Sequence, residues 1–252
     1  MSHFSRCLQF LRVNMSEPKV WSRFSAKAKD GTVLKFRIQA MTEDRKEDLM
    51  NLLMTHYVPE ESMHRCLGIP KNPEAMAEVL EIYKDLWSEK PNHNLTICVS
   101  EDETETRSEL FGASLIILET REGKSKEIIH YNPVTELLKE SIKIYKYLSM
   151  KYNIFEKHDI DKYYYGGGVV VHPKCRGLGI AQEFLRVRRL VCKEHNIPMT
   201  GAWMTSFGTQ KAAARDNWET AYELNTEDIG KEVGVKFENV PPTFMYMIAR
   251  NE

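Results

Sequence analysis

The chain has 252 residues with 35 basic against 36 acidic side chains, a net charge of −1, and a composition that is 42% apolar. That length suits one large domain with a sizeable core, while the balanced charge offers no field to draw nucleic acid or an anionic membrane, so small-molecule partners are expected. The five cysteines, Cys7, Cys66, Cys98, Cys175 and Cys192, are odd in number and scattered without metal-ligand spacing, which reads as reduced thiols and no metal.

Residues 1–20 hold Arg6 and Arg12 with Ser2, Ser5 and Ser16 and no acid before Glu17. They read as a flexible tail ahead of a single domain over 21–252, in a cytoplasmic protein that is a monomer or weak dimer. A mitochondrial presequence and a start at Met15 are the alternatives. Leu34, Phe36 and Ile38 alternate with polar residues and predict the first strand. Thr42 is placed to cap a helix carrying Leu49, Leu52 and Leu53 and ending near Pro59. Asn72 and Pro73 open a second helix with Met76, Val79, Leu80, Tyr83, Leu86 and Trp87 on one face. Runs at 95–100 and 110–119 predict a hairpin, joined by the acidic stretch 101–109, a solvated loop. From Thr135 onward, Leu137, Leu138, Ile142, Tyr145 and Leu148 recur at helical spacing.

The densest signal lies between Tyr163 and His195. Three tyrosines, three glycines and Val169, Val170 and Val171 make a strand with a weak point inside it, closed by His172 and Pro173. The turn Arg176-Gly177-Leu178-Gly179-Ile180-Ala181 then leads into a helix with Phe184, Leu185, Val187, Leu190 and Val191 on its apolar face. Glycines let the backbone approach a ligand closely, and a helix start presents unsatisfied N–H groups, so this turn is suited to a pyrophosphate. It lacks both the G-x-G-x-x-G dinucleotide pattern and the G-K-[ST] of a P-loop. An acyl-CoA turn is favoured over a plain packing unit. Beyond it, strands are predicted at 199–204, 218–224 and 243–249, with a helix at 210–216.

Arg176-x-x-Gly179-x-Ala181 resembles the R/Q-x-x-G-x-G/A motif of the GNAT superfamily of N-acetyltransferases, and the chain past its tail resembles the insect arylalkylamine N-acetyltransferases. His56-Tyr57-Val58-Pro59-Glu60-Glu61-Ser62-Met63 matches the segment that carries Asp-Glu-Pro-Leu in those enzymes, with Ser62 in place of the proline. Thr205-Ser206-Phe207-Gly208-Thr209 matches a serine-rich turn, and Pro241-Pro242 before an apolar strand matches the C-terminus. The resemblance implies an α/β GNAT fold: a mixed, mostly antiparallel central sheet flanked by helices and splayed between the central strand and the next. It implies acetyl-CoA as co-substrate, bound by Val169, Val170, Val171, Arg176, Gly177, Leu178, Gly179, Ile180 and Ala181.

It further implies Glu61 as general base, with Glu60 as the neighbouring alternative. An alkylammonium has no lone pair, so a carboxylate in a partly dry pocket must take its proton before it can attack a thioester. Ser206 and Thr209 are catalytic candidates, though hydroxyls at such a junction are equally often helix caps. Tyr57, Met63, Trp203 and Phe207 are candidates for an aromatic amine pocket or for the core, and Met63, Leu67, Ile69 and Trp87 fill the expected lid. The predicted penultimate helix lacks a tyrosine, which leaves the leaving-group acid open and Tyr222 as a fallback. Cys175 reads as a turn residue, and the histidines lack ligand spacing. The expected activity is acetyl transfer to an arylalkylamine such as dopamine, tyramine, serotonin or tryptamine. The alternatives are transfer to polyamines, agmatine, protein lysines or N-termini, or acyl-CoA binding without turnover.

Overall fold

The computed structural model describes residues 17–88, 90–101, 108–123 and 131–251. Residues 1–16 of the tail or presequence, Met15 among them, lie outside these residues, as does most of the acidic run after Glu101, while Val20 of that stretch already opens β1. The chain order is β1 (Val20–Lys27), β2 (Val33–Ala40), α1 (Lys46–Leu52), α2 (Ser62–Leu67), α3 (Pro73–Leu86), β3 (His93–Ser100), β4 (Leu110–Thr120), α4 (Glu136–Lys151) and α5 (Ile154–His158). It continues with β5 (Lys162–Val171), α6 (Ile180–Glu194), β6 (Met199–Met204), α7 (Phe207–Arg215), β7 (Glu219–Asn225), α8 (Thr226–Val233) and β8 (Thr243–Arg250).

These eight strands form one sheet in the order β1-β2-β3-β4-β5-β6-β8-β7. Every pair is antiparallel except β5 with β6, which is parallel and joined only at Tyr164↔Thr200 and Tyr165↔Gly201. Past Tyr165 the two strands part, so the second half of β5 has a partner on one side only. This is the expected mixed, splayed sheet.

Helices cover both faces. Leu49, Leu52, Leu53, Val79 and Tyr83 from α1, its π-helical extension and α3 pack on Ile97, Leu115 and Ile117. On the other face, Ile180, Phe184, Val187 and Val191 of α6 pack on Phe36, Ile38 and Ile116. Asn72 caps α3 as predicted, its side chain accepting from the Ala75 N–H at 2.9 Å. Thr42 makes no side-chain cap bond; a 3-10 turn at Glu43–Arg45 leads into α1 instead.

Four elements depart from the sequence reading. β1 lies ahead of the expected first strand, and its apolar alternation is broken by a register shift between Val20 and Ser22. α2 and α5 have only six and five residues, too short to show a period. In α8 the apolar side buries only Ile229 and Val233, behind a cap by Asn225.

Candidate active site

A cavity of about 530 Å³ runs through the gap where β5 and β6 separate. At one end lies the turn before α6. Gly177 and Gly179 adopt φ of +83° and +85°, which side chains rarely tolerate, and Gly179 starts α6 with no side chain bonded across its first turn. The N-terminal N–H groups of α6 are thus left for an anion. Arg176, Gly177, Gly179, Ile180 and Ala181 line the cavity, whereas Leu178 turns its side chain against the core beneath β1 and β2. Arg176 donates from Nε to the Val171 carbonyl at 3.2 Å and pairs through Nη1 with Glu60 Oε2 at 2.7 Å, bridging the turn to the segment before α2.

From that turn the cavity follows β5 past Val171, Val170 and Val169 to Gly168, Gly167 and Gly166. A bulge in β5 opposite Leu115 and Ile116 of β4 sets the register here, leaving Gly167 without an opposite residue. A side chain at Gly166 would collide with Nη1 of Arg188 and come within 2.7 Å of Ala202 Cβ; one at Gly168 would meet Trp87 at 2.8 Å and Tyr57 at 3.2 Å. The glycines therefore make room for Arg188, Tyr57 and Trp87, a reason tied to the site rather than to the strand.

Glu61 sits across the cavity as the N-cap of α2. Its Oε2 accepts from the N–H groups of Met63 at 2.9 Å and His64 at 2.8 Å, and Glu61 is only 9% exposed. Oε1 has no bonding partner among the described residues, so the carboxylate is held by one oxygen and offers the other. His64 is buried with Nδ1 4.0 Å from Glu61 Oε2. Burial holds its pKa below the usual value, against the pull of Glu61 and the Val58 carbonyl, so the imidazole is neutral and does not cancel the Glu61 charge. Ser62, standing where the resembled enzymes have proline, donates its hydroxyl to the Thr205 carbonyl at 2.8 Å and ties α2 to the end of β6.

Burial, first, and the Glu61 charge raise the phenol pKa values of Tyr57 and Tyr145 well above the ordinary range. Tyr165 is raised by burial, Glu119 and Glu61. All three line the cavity as neutral phenols.

No family model matches the sequence, and no curated protein matches it. Solved structures do. The candidate insect arylalkylamine N-acetyltransferase 7 of the yellow fever mosquito Aedes aegypti superposes with a TM-score of 0.81 at 24% identity, covering 95% of this chain and 98% of its own. The chain has the GNAT fold. Arylalkylamine N-acetyltransferase 2 of Aedes aegypti gives a TM-score of 0.69 at 15% identity over 86% of this chain and 99% of its own. The Drosophila melanogaster polyamine N-acetyltransferase that forms N-acetylagmatine gives 0.62 at 12% identity, over 85% and 99%.

Within this GNAT fold the cavity brings together most of the residues singled out in the sequence: Tyr57, Glu61, Met63, Val169, Val170, Val171, the turn without Leu178, Trp203, Ser206, Phe207 and Thr209. Ser206 and Thr209 do act as a cap. Ser206 Oγ accepts from the Thr209 N–H at 3.2 Å and lies 2.9 Å from Thr209 Oγ1, with both hydroxyls on the cavity wall. Phe207 is 58% exposed, so it stands at the mouth and not in an enclosed pocket. Leu67, Ile69 and Trp87 are no part of the wall: Ile69 and Trp87 are core, with Leu67 packed against it. Tyr222 lies on β7 outside the lining and stacks on Tyr152.

Tyr145, Tyr165 and Arg188 are among the lining residues that the sequence did not single out. Tyr145 was absorbed into the apolar stripe of α4, and Tyr165 into the strand. Arg188 left a legible trace: it stands four residues after Phe184 and three before Val191, a cation on a buried helix face.

Proposed function

We propose that this protein is an N-acyltransferase that moves an acetyl group from acetyl-CoA directly to a small primary amine, with arylalkylamines as the preferred acceptors. The observation that carries the reading is the continuity of one cavity from the α6 turn, along the unpaired edge of β5, to the free oxygen of Glu61. The diphosphate rests on the α6 N–H groups, and the pantetheine arm adds beside Val169, Val170 and Val171 as an extra strand would. Glu61 Oε1 takes a proton from the ammonium, the freed lone pair attacks the thioester carbonyl, and a β5 backbone N–H stabilises the oxyanion. The C–S bond then breaks and the thiolate leaves. The second proton shed by the nitrogen neutralises the thiolate. Tyr57, Tyr145 and Tyr165 hold their protons throughout and serve as hydrogen-bond donors at this step.

Charge supports a monoamine. Glu60 and Glu61 are the carboxylates on the cavity wall among the described residues, and Glu60 is paired with Arg176. A diamine or agmatine would bury its second cation with no partner, a large penalty. Thiol release from acetyl-CoA is the test, with tryptamine, tyramine, dopamine, serotonin, agmatine, spermidine and a lysine peptide as acceptors. Turnover led by an arylalkylamine supports the proposal. Turnover led by spermidine or the peptide refutes the acceptor class, and tight acetyl-CoA binding with no thiol release from any amine refutes the enzyme.

A further inference from the structure

Arg188 is 3% exposed, yet among the described residues it forms no ion pair and no hydrogen bond to a carboxylate. Three neutral oxygens hold it. Nε donates to Ser114 Oγ at 3.1 Å, and Nη2 donates to the carbonyls of Leu115 at 3.3 Å and Gly168 at 2.8 Å, the two residues paired at the β4–β5 bulge. Nη1 has no hydrogen-bond partner among the described residues and lies against Gly166 and Ala202, on the cavity wall where β5 and β6 begin to part. The phenols nearest to its charge, Tyr57 and Tyr165, are neutral and do not compensate it. A buried cation without a counter-charge is costly, and one that keeps a donor aimed into a cavity is placed to meet negative charge there.

The sequence of events in the cavity supplies one. This inference rests on the acyltransferase reading. With the diphosphate at the α6 turn, the pantetheine arm runs back along β5 from Val171 to Gly166. Five steps of strand span at most about 17 Å, comparable with an extended arm, so the thioester arrives at the glycines beside Nη1. We propose that Arg188 is a catalytic residue whose Nη1 donates to the thioester carbonyl oxygen and stabilises the tetrahedral oxyanion. As the C–N bond forms, the carbonyl π pair moves onto that oxygen. It returns as the C–S bond breaks and the thiolate departs. The guanidinium meets a neutral oxygen before and after the reaction and a negative one between, which is the differential binding that accelerates a step. Its pKa, lowered by burial to about 10, still leaves it charged at neutral pH.

Isotope-edited infrared spectroscopy of [1-¹³C]acetyl-CoA bound to the full-length protein reads this contact without needing turnover. The wild type should shift the carbonyl stretch to lower wavenumber than in buffer, Arg188→Lys should shift it less, and Arg188→Met should restore the buffer value. In parallel, Arg188→Met should lower kcat by about 10²-fold, the usual loss for one oxyanion donor, with the acetyl-CoA Kd changed less than about threefold. Should Arg188→Met not fold, Arg188→Lys against wild type carries both readouts. An unshifted stretch in the wild type, an equal shift in a folded variant, or an unchanged kcat overturns the proposal. A kcat loss matched by an equal loss of acetyl-CoA affinity also overturns it, because Arg188 is then a staple of the bulge. If the wild type polarises the carbonyl but acylates no amine, the contact stands and the N-acyltransferase reading falls.

Discussion

Replacing Glu61 with glutamine separates the proposed chemistry from the observed architecture at that position. The amide oxygen of glutamine can still accept from the Met63 and His64 N–H groups, so α2 keeps its cap. What is lost is a charge near a helix start, about 0.3–1 kcal/mol of stability, and the ability to take a proton. An alkylammonium with a pKa near ~10 is free base to only about one part in 10³ at pH 7. Without a base the proposed reaction must wait for that fraction, so kcat/KM with tyramine should drop about 10³-fold at pH 7, inside the usual range for general-base loss. The deficit should shrink about tenfold for each pH unit gained and vanish near pH ~10, where the amine deprotonates unaided. Initial-rate thiol release for both proteins between pH 6 and 10 gives that ratio directly. A ratio independent of pH, or a loss below about threefold at pH 7, would refute Glu61 as the base.

Three further outcomes follow from contacts around the cavity. Glu60→Gln releases Arg176 from an ion pair whose side chains are 49% and 43% exposed, worth at most about 1 kcal/mol, so the melting temperature should hold while CoA affinity by calorimetry rises several-fold. Weaker CoA binding would show that the pair preorganises the turn. Gly166→Ala drives a methyl into Arg188 and Ala202, and overpacking of this kind should cost about 1–3 kcal/mol in denaturant melts. A wild-type midpoint would mean that the splay has slack. His64 in the folded protein has a pKa below the usual 6.5, so the unfolded chain binds the proton more readily and stability, full above about 6.5, declines as pH falls below it. The slope is at most about 1.4 kcal/mol per pH unit, and His64→Gln should flatten it in melts between pH 7 and 5.

What the sequence made legible was local and repetitive. The α6 turn could be read because two glycines, a strand and a strongly amphipathic helix occur in unbroken succession, each reinforcing the next. α3 could be read from Asn72, Pro73 and four turns of one periodic face. The site itself was less legible, since its walls come from the segment before α2, from α2, α4, β5, α6, β6 and α7, elements far apart in the chain. Glu61 came from resemblance and its capping bonds from the structure; six residues of α2 give no periodicity to announce a helix behind it. The glycines at 166–168 looked like a flaw in a strand, because the side chains they accommodate, Arg188, Leu115 and Trp87, belong to other elements. Phe207, an aromatic residue beside the right turn, opens α7 and lines the cavity at its mouth rather than within an enclosed pocket.

The short seam between β5 and β6 divides the sheet into two blades, β1 to β5 and β6, β8 and β7, riveted at Tyr164 and Tyr165. Backbone cooperativity cannot pass from one blade to the other except through that rivet and the helices that bridge it. An acyl-CoA lying along β5 would therefore do more than occupy a groove: it would supply the missing rung of the ladder. Amide groups between Val169 and Val171 that do not already bond to β4 would then gain protection from exchange, and occupancy would be written into the mechanical continuity of the whole sheet.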